Sequence, residues 1–190
     1  MTNFGTLLDR NRAFAQTDAK DKVPAIPFIP NMQTYVVTCI DPRVDPAAIL
    51  GMHLGDAIVA RNVGGRVTAA VLADLAWICY LHENKTPDAG WFELAVIHHT
   101  DCGSGLLADD DLRHGFTARY GYDDAALACL AVLDPARTAR TDVDTLLAAP
   151  QLAPQVAVSG YAYDIETGLL TQVAAPRTRA DDPAPIPSAT

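Results

Sequence analysis

The sequence has few positive charges, no long apolar run and no internal repeat. Lysine and arginine together number 14 against 23 aspartates and glutamates, and the formal net charge is −9. Without a basic stripe or a basic aromatic patch, the chain lacks what binding to a phosphate backbone requires, so nucleic acid is excluded as a partner. No stretch approaches the roughly 20 apolar residues that cross a bilayer, so a membrane-spanning segment is excluded too.

Cysteine is also scarce. The first ten residues lack the apolar core of a signal peptide, and we therefore expect a cytoplasmic protein. Because disulfides are rare in the cytoplasm, the cysteines are expected to be thiols, metal ligands or nucleophiles. The four positions are Cys39, Cys79, Cys102 and Cys129.

Apolar and β-branched runs alternate with helical patterns along the chain. Strands are predicted at residues 34–40, 56–60, 92–97, 156–163 and 169–173, the last pairing back on the fourth as a hairpin. Helical patterns occur at residues 4–16, 46–50, 68–82, within 104–121, 123–133 and 142–148. This order predicts an α/β fold: a mostly parallel central β-sheet of four to five strands, with helices on both faces and a C-terminal antiparallel hairpin strand.

A chain of 190 residues is long enough for one domain with its own core, which we assign to residues 1–175. The helical arm at 4–16 precedes a proline-punctuated linker, and it could pack on its own domain or reach a neighbouring subunit. From Ala174 onward the chain is rich in proline, alanine and polar residues without periodicity. Residues 176–190 are therefore expected to be a disordered tail.

Two predicted strands end in residues that bind metals. One ends in Cys39-Ile40-Asp41-Pro42-Arg43 and another in His98-His99-Thr100-Asp101-Cys102-Gly103. Ligands of open α/β sheets bind outside the carboxyl ends of the strands, where these two segments would meet. Zinc prefers four ligands drawn from thiolate, imidazole and carboxylate, and Cys39, His99 and Cys102 offer three of them.

The two adjacent histidines are not equivalent. His98 and His99 follow one another on a strand, so their side chains point to opposite faces of the sheet. Only one of them can join Cys102 easily, and the three-residue spacing favours His99.

The other cysteines and histidines have a simpler interpretation. A lone buried cysteine is more often a small hydrophobic residue than a ligand. Cys79 and Cys129 lie in apolar helical patterns and are predicted to be core residues. His53, His82 and His114 have no partner at ligand spacing and are predicted to be surface or loop histidines.

Asp41 and Arg43 lie two residues apart, on the same side of an extended segment. An arginine can hold a carboxylate through two hydrogen bonds, which orients the carboxylate and keeps it ionised. Asp41 could be the fourth zinc ligand, which closes the site to substrate. Held by Arg43, it could instead accept a hydrogen bond from zinc-bound water and leave the site open. A purely structural salt bridge is the third possibility.

Taken together, these motifs resemble the β-class carbonic anhydrases. The family pattern is Cys-x-Asp-x-Arg followed by His-x-x-Cys, matched here by Cys39, Asp41, Arg43, His99 and Cys102. The likeness extends to Arg-Asn-x-Gly at 61–64 and to the Cys-Gly pair at 102–103, and it covers roughly residues 30–173. A glutamine before the first strand helps many members bind substrate, and Gln33 is not an obvious equivalent.

The resemblance implies a zinc enzyme that hydrates carbon dioxide reversibly to bicarbonate by zinc-bound hydroxide. It implies zinc ligands at Cys39, His99 and Cys102, catalytic residues at Asp41 and Arg43, and a substrate contact at Gly103. It also implies a homodimer or tetramer whose N-terminal helix embraces the partner subunit, which favours the intersubunit position for residues 4–16.

The substrate has alternatives. The compact chain resembles the short branch of the family, which is similar to carbonyl sulfide hydrolases, and carbon disulfide hydrolases share the scaffold. Carbon dioxide and carbonyl sulfide are both linear, neutral triatomic molecules, so the ligand motifs do not separate them. Hydrolysis of carbonyl sulfide to hydrogen sulfide and carbon dioxide on the same zinc site is the alternative activity. A zinc-binding module without turnover is the third, and the Asp41–Arg43 pair argues against it.

Overall fold

The computed structural model describes residues 3–22 and 29–181, and a five-stranded sheet is its centre. The strands are β1 (Thr34–Cys39), β2 (Ala57–Asn62), β3 (Glu93–His99), β4 (Ala157–Tyr163) and β5 (Leu170–Arg177). Their order in the sheet is β2-β1-β3-β4-β5, and neighbouring strands are parallel except for the antiparallel pair β4 and β5. The predicted α/β fold with a C-terminal antiparallel strand is confirmed.

Six α-helices accompany the strands in the described part of the chain. They are α1 (Asn3–Ala15), α2 (Pro46–Leu50), α3 (Ala69–Lys85), α4 (Asp110–Tyr120), α5 (Asp124–Ala128) and α6 (Pro135–Ala148). A side-chain oxygen accepts a first-turn amide at the start of five of them, from Asp45, Thr68, Asp109, Asp123 and Asp134. These caps satisfy amides that have no partner within the helix and so determine where each helix begins.

The core lies on both faces of the sheet. Because successive strand residues alternate between faces, Tyr35, Val37, Leu94, Val96 and Val158 all meet the long helices. Those helices contribute Val71, Leu75 and Cys79 from α3 and Val143, Leu146 and Leu147 from α6. On the opposite face, a smaller cluster of Val36, Val44, Ile97 and Tyr163 packs against Ile49 of α2. Helices therefore lie on both faces, as predicted.

Two predicted helices have different bounds in the structure. The pattern at 123–133 is helical only as far as Ala128, and the pattern at 142–148 is the second half of α6. The helix begins earlier because Asp134 caps it and Pro135 occupies its first position. Its first turns bury the small residues Thr138 and Ala139, which give little apolar signal in the sequence.

Some of the predictions for the isolated cysteines and histidines are confirmed, and others are wrong. Cys79 is buried, and His53 and His114 are exposed, as expected. Cys129 was predicted to be a core residue and is exposed, because α5 ends just before it. His82 was predicted to be a surface or loop histidine and is only 5% exposed, because it faces inward from α3 and packs against Trp91, with 4.3 Å between ring centroids.

The disordered tail was expected to begin at residue 176, which lies within the last strand of the structure. β5 continues to Arg177, because its pairing with β4 supplies backbone hydrogen bonds. The local sequence pattern does not indicate this pairing. Beyond it, Arg179 donates to three carbonyls at the end of α6 and just after it, those of Leu147, Ala149 and Leu152. The remainder of the expected tail, residues 182–190, lies outside the described residues, as does linker segment 23–28.

Across residues 3–22 and 29–181, no helix has the length and apolar character needed to cross a bilayer.

A buried ion pair joins α6 to the segment after β2. Arg66 Nε and Nη2 donate to the Asp142 carboxylate at 2.8 and 2.9 Å, and the Val67 amide donates to it at 2.9 Å. His98 lies in the same network, with Nε2 3.4 Å from Asp142 Oδ2 and Nδ1 2.7 Å from Thr138 Oγ1. Burial raises the pKa of Asp142, but the hydrogen bonds from His98 and Arg66 outweigh burial and hold that pKa below its usual range.

Replacing Asp142 by asparagine should lower the free energy of unfolding by about 3–5 kcal/mol, because the Arg66 charge would remain buried without its partner. Urea denaturation measures the loss. A depressed pKa contributes stability that is present above the unfolded-state value of about 4 and lost as the pH falls through the folded-state value. The difference between variant and wild type should therefore shrink in acid.

Asp144→Asn is the matched control in the same helix. Asp144 pairs with Arg177 at the surface, so its loss should change stability by less than about 1 kcal/mol. An Asp142 variant no less stable than the Asp144 variant would contradict the role given to the buried pair.

Candidate metal centre

β1 and β3 are parallel neighbours, so their carboxyl ends lie side by side. Cys39 is the last residue of β1, His99 is the last residue of β3, and Cys102 follows three residues later. All three are buried, and their ligand atoms lie within 4.8 Å of one another. The two sulfurs are 3.8 Å apart. Tetrahedral zinc with bonds of about 2.3 Å would hold two thiolates about 3.8 Å apart, so the spacing fits such an ion.

His99 has the tautomer that a metal ligand needs. Its Nδ1 lies 2.8 Å from the Thr100 carbonyl oxygen. A carbonyl only accepts, so Nδ1 carries a proton, and in the neutral imidazole Nε2 keeps its lone pair. Among the described residues, the buried Nε2 has no hydrogen-bond partner. A buried nitrogen left unpaired is unfavourable, and a cation held with the two sulfurs would satisfy it.

The two thiols of the cluster influence each other. The hydrogen bond that Cys102 offers lowers the pKa of Cys39 far below its usual range, while the pKa of Cys102 is raised by the same contact and by burial. The contact therefore favours a thiolate at one sulfur and a thiol at the other. A metal that binds both sulfurs would displace the second proton, because thiolates, not thiols, are the ligands.

Asp41 lies at the edge of the cluster, turned towards Arg43. Arg43 Nη2 donates to Asp41 Oδ2 at 2.7 Å, Nε donates to Oδ1 at 3.0 Å, and the Arg43 amide donates to Oδ1 at 2.9 Å. These bonds, chiefly those from the side chain, lower the pKa of Asp41 to about 2. Oδ2 also lies 4.0 Å from His99 Nε2. The structure contains the pairing of Asp41 with Arg43, which two of the three possibilities considered for Asp41 share.

Sequence reasoning missed Asp101, which binds the other side of Arg43. Its Oδ2 accepts from Arg43 Nη1 at 2.8 Å, and its carbonyl oxygen accepts from Nη2 at 3.0 Å. Asp101 occupies a variable position of the His-x-x-Cys pattern, and nothing in its spacing marks it. The contact depends on a left-handed backbone, with φ of 51° at Asp101.

Arg61 holds the segment that carries Cys39 and Asp41. Its Nε donates to the Cys39 carbonyl at 2.9 Å, Nη2 to the Asp41 carbonyl at 2.7 Å, and Nη1 to Asp45 Oδ2 at 3.0 Å. The next residue, Asn62, closes the following turn through bonds of 2.8 and 2.9 Å with the backbone of Arg66. The Arg-Asn pair was part of the family resemblance, but its function as a brace became visible only in the structure.

The glycine pair after Asn62 lets that turn lie against the end of β1. Gly64 and Gly65 both have positive φ, 81° and 66°. A Cβ on Gly65 would lie 2.7 Å from the backbone N of Cys39 and from the carbonyl carbon of Thr38. Gly65 therefore combines a positive φ with a close backbone approach.

The remaining predicted positions, His98, Gly103 and Gln33, contribute no ligand atom to the cluster. His98 faces α6 and donates from Nε2 to the Gly65 carbonyl at 3.1 Å, so it does not join the cluster. Gly103 is exposed at the start of the 3-10 turn Gly103–Ala108, with nothing within 4 Å of a Cβ built on it. Gln33 precedes β1 and therefore lies at the opposite edge of the sheet from the cluster.

Comparisons with known proteins agree with this geometry. A family model described as carbonic anhydrase matches residues 34–120. Beta-carbonic anhydrase 1 of Mycobacterium tuberculosis is 28% identical over 148 residues, 78% of this chain and 86% of that protein. A solved carbonic anhydrase from Glaciozyma antarctica is 31% identical, with a TM-score of 0.65 over 88% of this chain and 95% of that chain. A carbon disulfide hydrolase of Acidianus sp. is 25% identical over 165 residues, 72% of this chain and 75% of that protein.

The close approach of Gly65 to β1 can be tested against a matched glycine. Gly51 has nearly the same φ, 65°, but nothing lies within 4 Å of its Cβ position. Gly51→Ala should lose only the left-handed penalty, about 1–2 kcal/mol. Gly65→Ala should lose about 1–3 kcal/mol more, because its methyl group must displace the end of β1. Equal losses in urea denaturation would show that the approach does not constrain the site.

Proposed function

The chain belongs to the β-class carbonic anhydrase family, and on that premise we propose that it is a cytoplasmic, zinc-dependent carbonic anhydrase that hydrates carbon dioxide reversibly to bicarbonate. One observation carries the proposal. Cys39, His99 and Cys102 converge at the carboxyl edge of the sheet with the Asp41–Arg43 pair beside them. A site that only held a metal for structural reasons would have no need of that pair.

The donor set supports zinc. Two sulfurs and one imidazole nitrogen suit zinc, whereas magnesium and calcium prefer oxygen ligands. The sulfur spacing and the unpaired His99 Nε2 fit an ion at this point. When bound, zinc would supply a Lewis acid that makes water a nucleophile near neutral pH.

The protein's own residues would orient the reactants. Arg43 holds the Asp41 carboxylate ionised, with Oδ2 on the side of the cluster. From there Asp41 can accept a hydrogen bond from a water molecule or from a hydroxyl group of the product and so fix its direction. Gly103, exposed beside Cys102, is the proposed backbone contact to substrate.

Hydrolysis of carbonyl sulfide to hydrogen sulfide and carbon dioxide is the second candidate. The relationship to a carbon disulfide hydrolase supports it, at 25% identity against 28% for the Mycobacterium tuberculosis carbonic anhydrase. The ligand set serves either substrate, because each is a small molecule with an electrophilic carbon. A zinc-binding module without turnover is the third candidate, and the retained Asp41–Arg43 pair counts against it.

We also propose a homodimer or tetramer in which α1 packs on the partner subunit. α1 exposes a series of large apolar side chains, at Phe4, Leu7, Leu8 and Phe14. An apolar groove of about 290 Å³ lies open on the face of the sheet opposite α3 and α6, lined partly by Val36, Ala95, Ile97 and Tyr161. A second copy that covered this groove with its own α1 would bury both surfaces at once.

The activity is tested by a paired assay on one sample: carbon dioxide hydration, hydrogen sulfide release from carbonyl sulfide, and metal content. We expect one zinc ion per chain and carbon dioxide hydration as the faster reaction. Faster release of hydrogen sulfide would favour the second candidate. Stoichiometric zinc with neither activity would favour the non-catalytic module.

The roles of individual residues are tested on the same assays. Cys102→Ser should lose zinc, because it removes a thiolate ligand. Asp41→Asn should keep most of the zinc and lose about a hundredfold in activity, the scale of a positioned proton acceptor. Cys129→Ser changes an exposed thiol outside the cluster and should match wild type. Full zinc content and turnover in Cys102→Ser would contradict the ligand assignment.

The proposed assembly is tested by sedimentation. The double variant Phe4→Ser, Leu8→Ser should dissociate or weaken the assembly, because it removes apolar contacts from α1. Arg10→Ala in the same helix is the control and should leave the assembly unchanged. A wild-type chain that sediments as a monomer at micromolar concentration would contradict the proposal.

A further inference from the structure

Asp101 adopts a backbone conformation that residues other than glycine rarely take. Its φ is 51°, whereas its neighbour Cys102 has an extended backbone with φ of −75°. Left-handed residues with a Cβ are uncommon, and aspartate and asparagine are the types that tolerate the region best. The turn brings the carbonyl and the carboxylate of Asp101 to the same guanidinium.

Arg43 is therefore held from two sides. Asp41 takes Nε and Nη2, while Asp101 takes Nη1 and the second hydrogen of Nη2. These bonds engage all three nitrogens of the guanidinium. The two carboxylates use different N–H groups, so they do not compete for a proton.

We propose that Asp101 is a positioning residue, which fixes the Arg43 guanidinium from outside so that Asp41 can pair with it from inside. The inference rests on the proposed function, since it concerns the arrangement of the Asp41–Arg43 pair. The Arg43 side chain is 47% exposed, and a long side chain in contact with solvent loses conformational freedom when it is fixed. With Asp101 already holding it, less freedom remains to be lost when Asp41 pairs.

The arrangement matters most if Asp41 turns from Arg43 towards a metal ion. That movement would break the bonds to Nε and Nη2 that Asp41 accepts and leave the inner edge of the guanidinium without a partner. The bonds to Asp101 would remain, so Arg43 would stay where Asp41 can return to it. Without Asp101, Arg43 would be free to move into solvent, and the pairing of Asp41 with the metal would be favoured.

The test compares Asp101→Gly with wild type. Glycine accepts the left-handed backbone without strain and keeps the carbonyl, so the variant removes the carboxylate alone. Hydrogen exchange of the Arg43 Nε–H, followed by NMR on the metal-free protein, should become about two- to fivefold faster, the range for an exposed ion pair. On the cobalt-loaded protein, azide affinity followed by the visible spectrum should fall by a similar factor, because Asp41 would occupy the metal more often.

Two control variants accompany it. Asp101→Asn keeps the backbone preference and an oxygen acceptor, so it should lie between wild type and Asp101→Gly. Asp88→Asn removes the same charge from an exposed turn before β3, at the other end of the strand, and should match wild type. An asparagine variant more perturbed than the glycine variant would contradict the loss of an acceptor as the cause.

Wild-type exchange of the Arg43 Nε–H in Asp101→Gly would overturn the proposal. Faster exchange with unchanged azide affinity would overturn the step that links Arg43 to Asp41. If the wild-type chain bound neither zinc nor cobalt, the proposed function would fail, whereas the exchange measurement on the metal-free protein would still decide whether Asp101 positions Arg43.

Discussion

The parallel pairing of β1 with β3 is the interaction on which the candidate site depends. It brings Cys39 to the same edge as His99 and Cys102, although about sixty residues separate the two segments in the chain. Neither strand alone carries a complete ligand set. The surrounding polar contacts then hold the strand ends in place: Arg61 binds the carbonyls after β1, and the Gly65 turn packs against its last residues. Apolar burial builds the sheet, and buried hydrogen bonds fix the positions of its ends.

The site combines buried groups with groups at the border with solvent. Cys39, His99 and Cys102 are buried and held by backbone that the fold determines. Asp41 and Arg43 lie at the border with solvent, joined by a 2.7 Å contact between Arg43 Nη2 and Asp41 Oδ2. The buried part is suited to hold an ion.

Much of this arrangement could be predicted from local patterns, and the failures have physical causes. Alternation along β3 separated His98 from His99, and spacing connected His99 with Cys102. Asp101 could not be found that way, because its contact requires a left-handed turn and a partner from another strand. His82 has no partner at ligand spacing and was predicted at the surface, but packing of α3 against Trp91 buries it. The start of the expected tail was misplaced because β5 is stabilised by pairing with β4, a non-local interaction.

The two adjacent histidines have a consequence for how the sheet can assemble. His99 offers its nitrogen to the cluster, while His98 is anchored to Thr138 and the Gly65 carbonyl on the opposite face. A slip of β3 by one residue would exchange the faces of all its side chains. The anchor would then face the cluster, the potential ligand would face α6, and both sets of contacts would be lost together. The two histidines therefore disfavour a shifted pairing of β3, because neither side chain can make its contacts unless the other does.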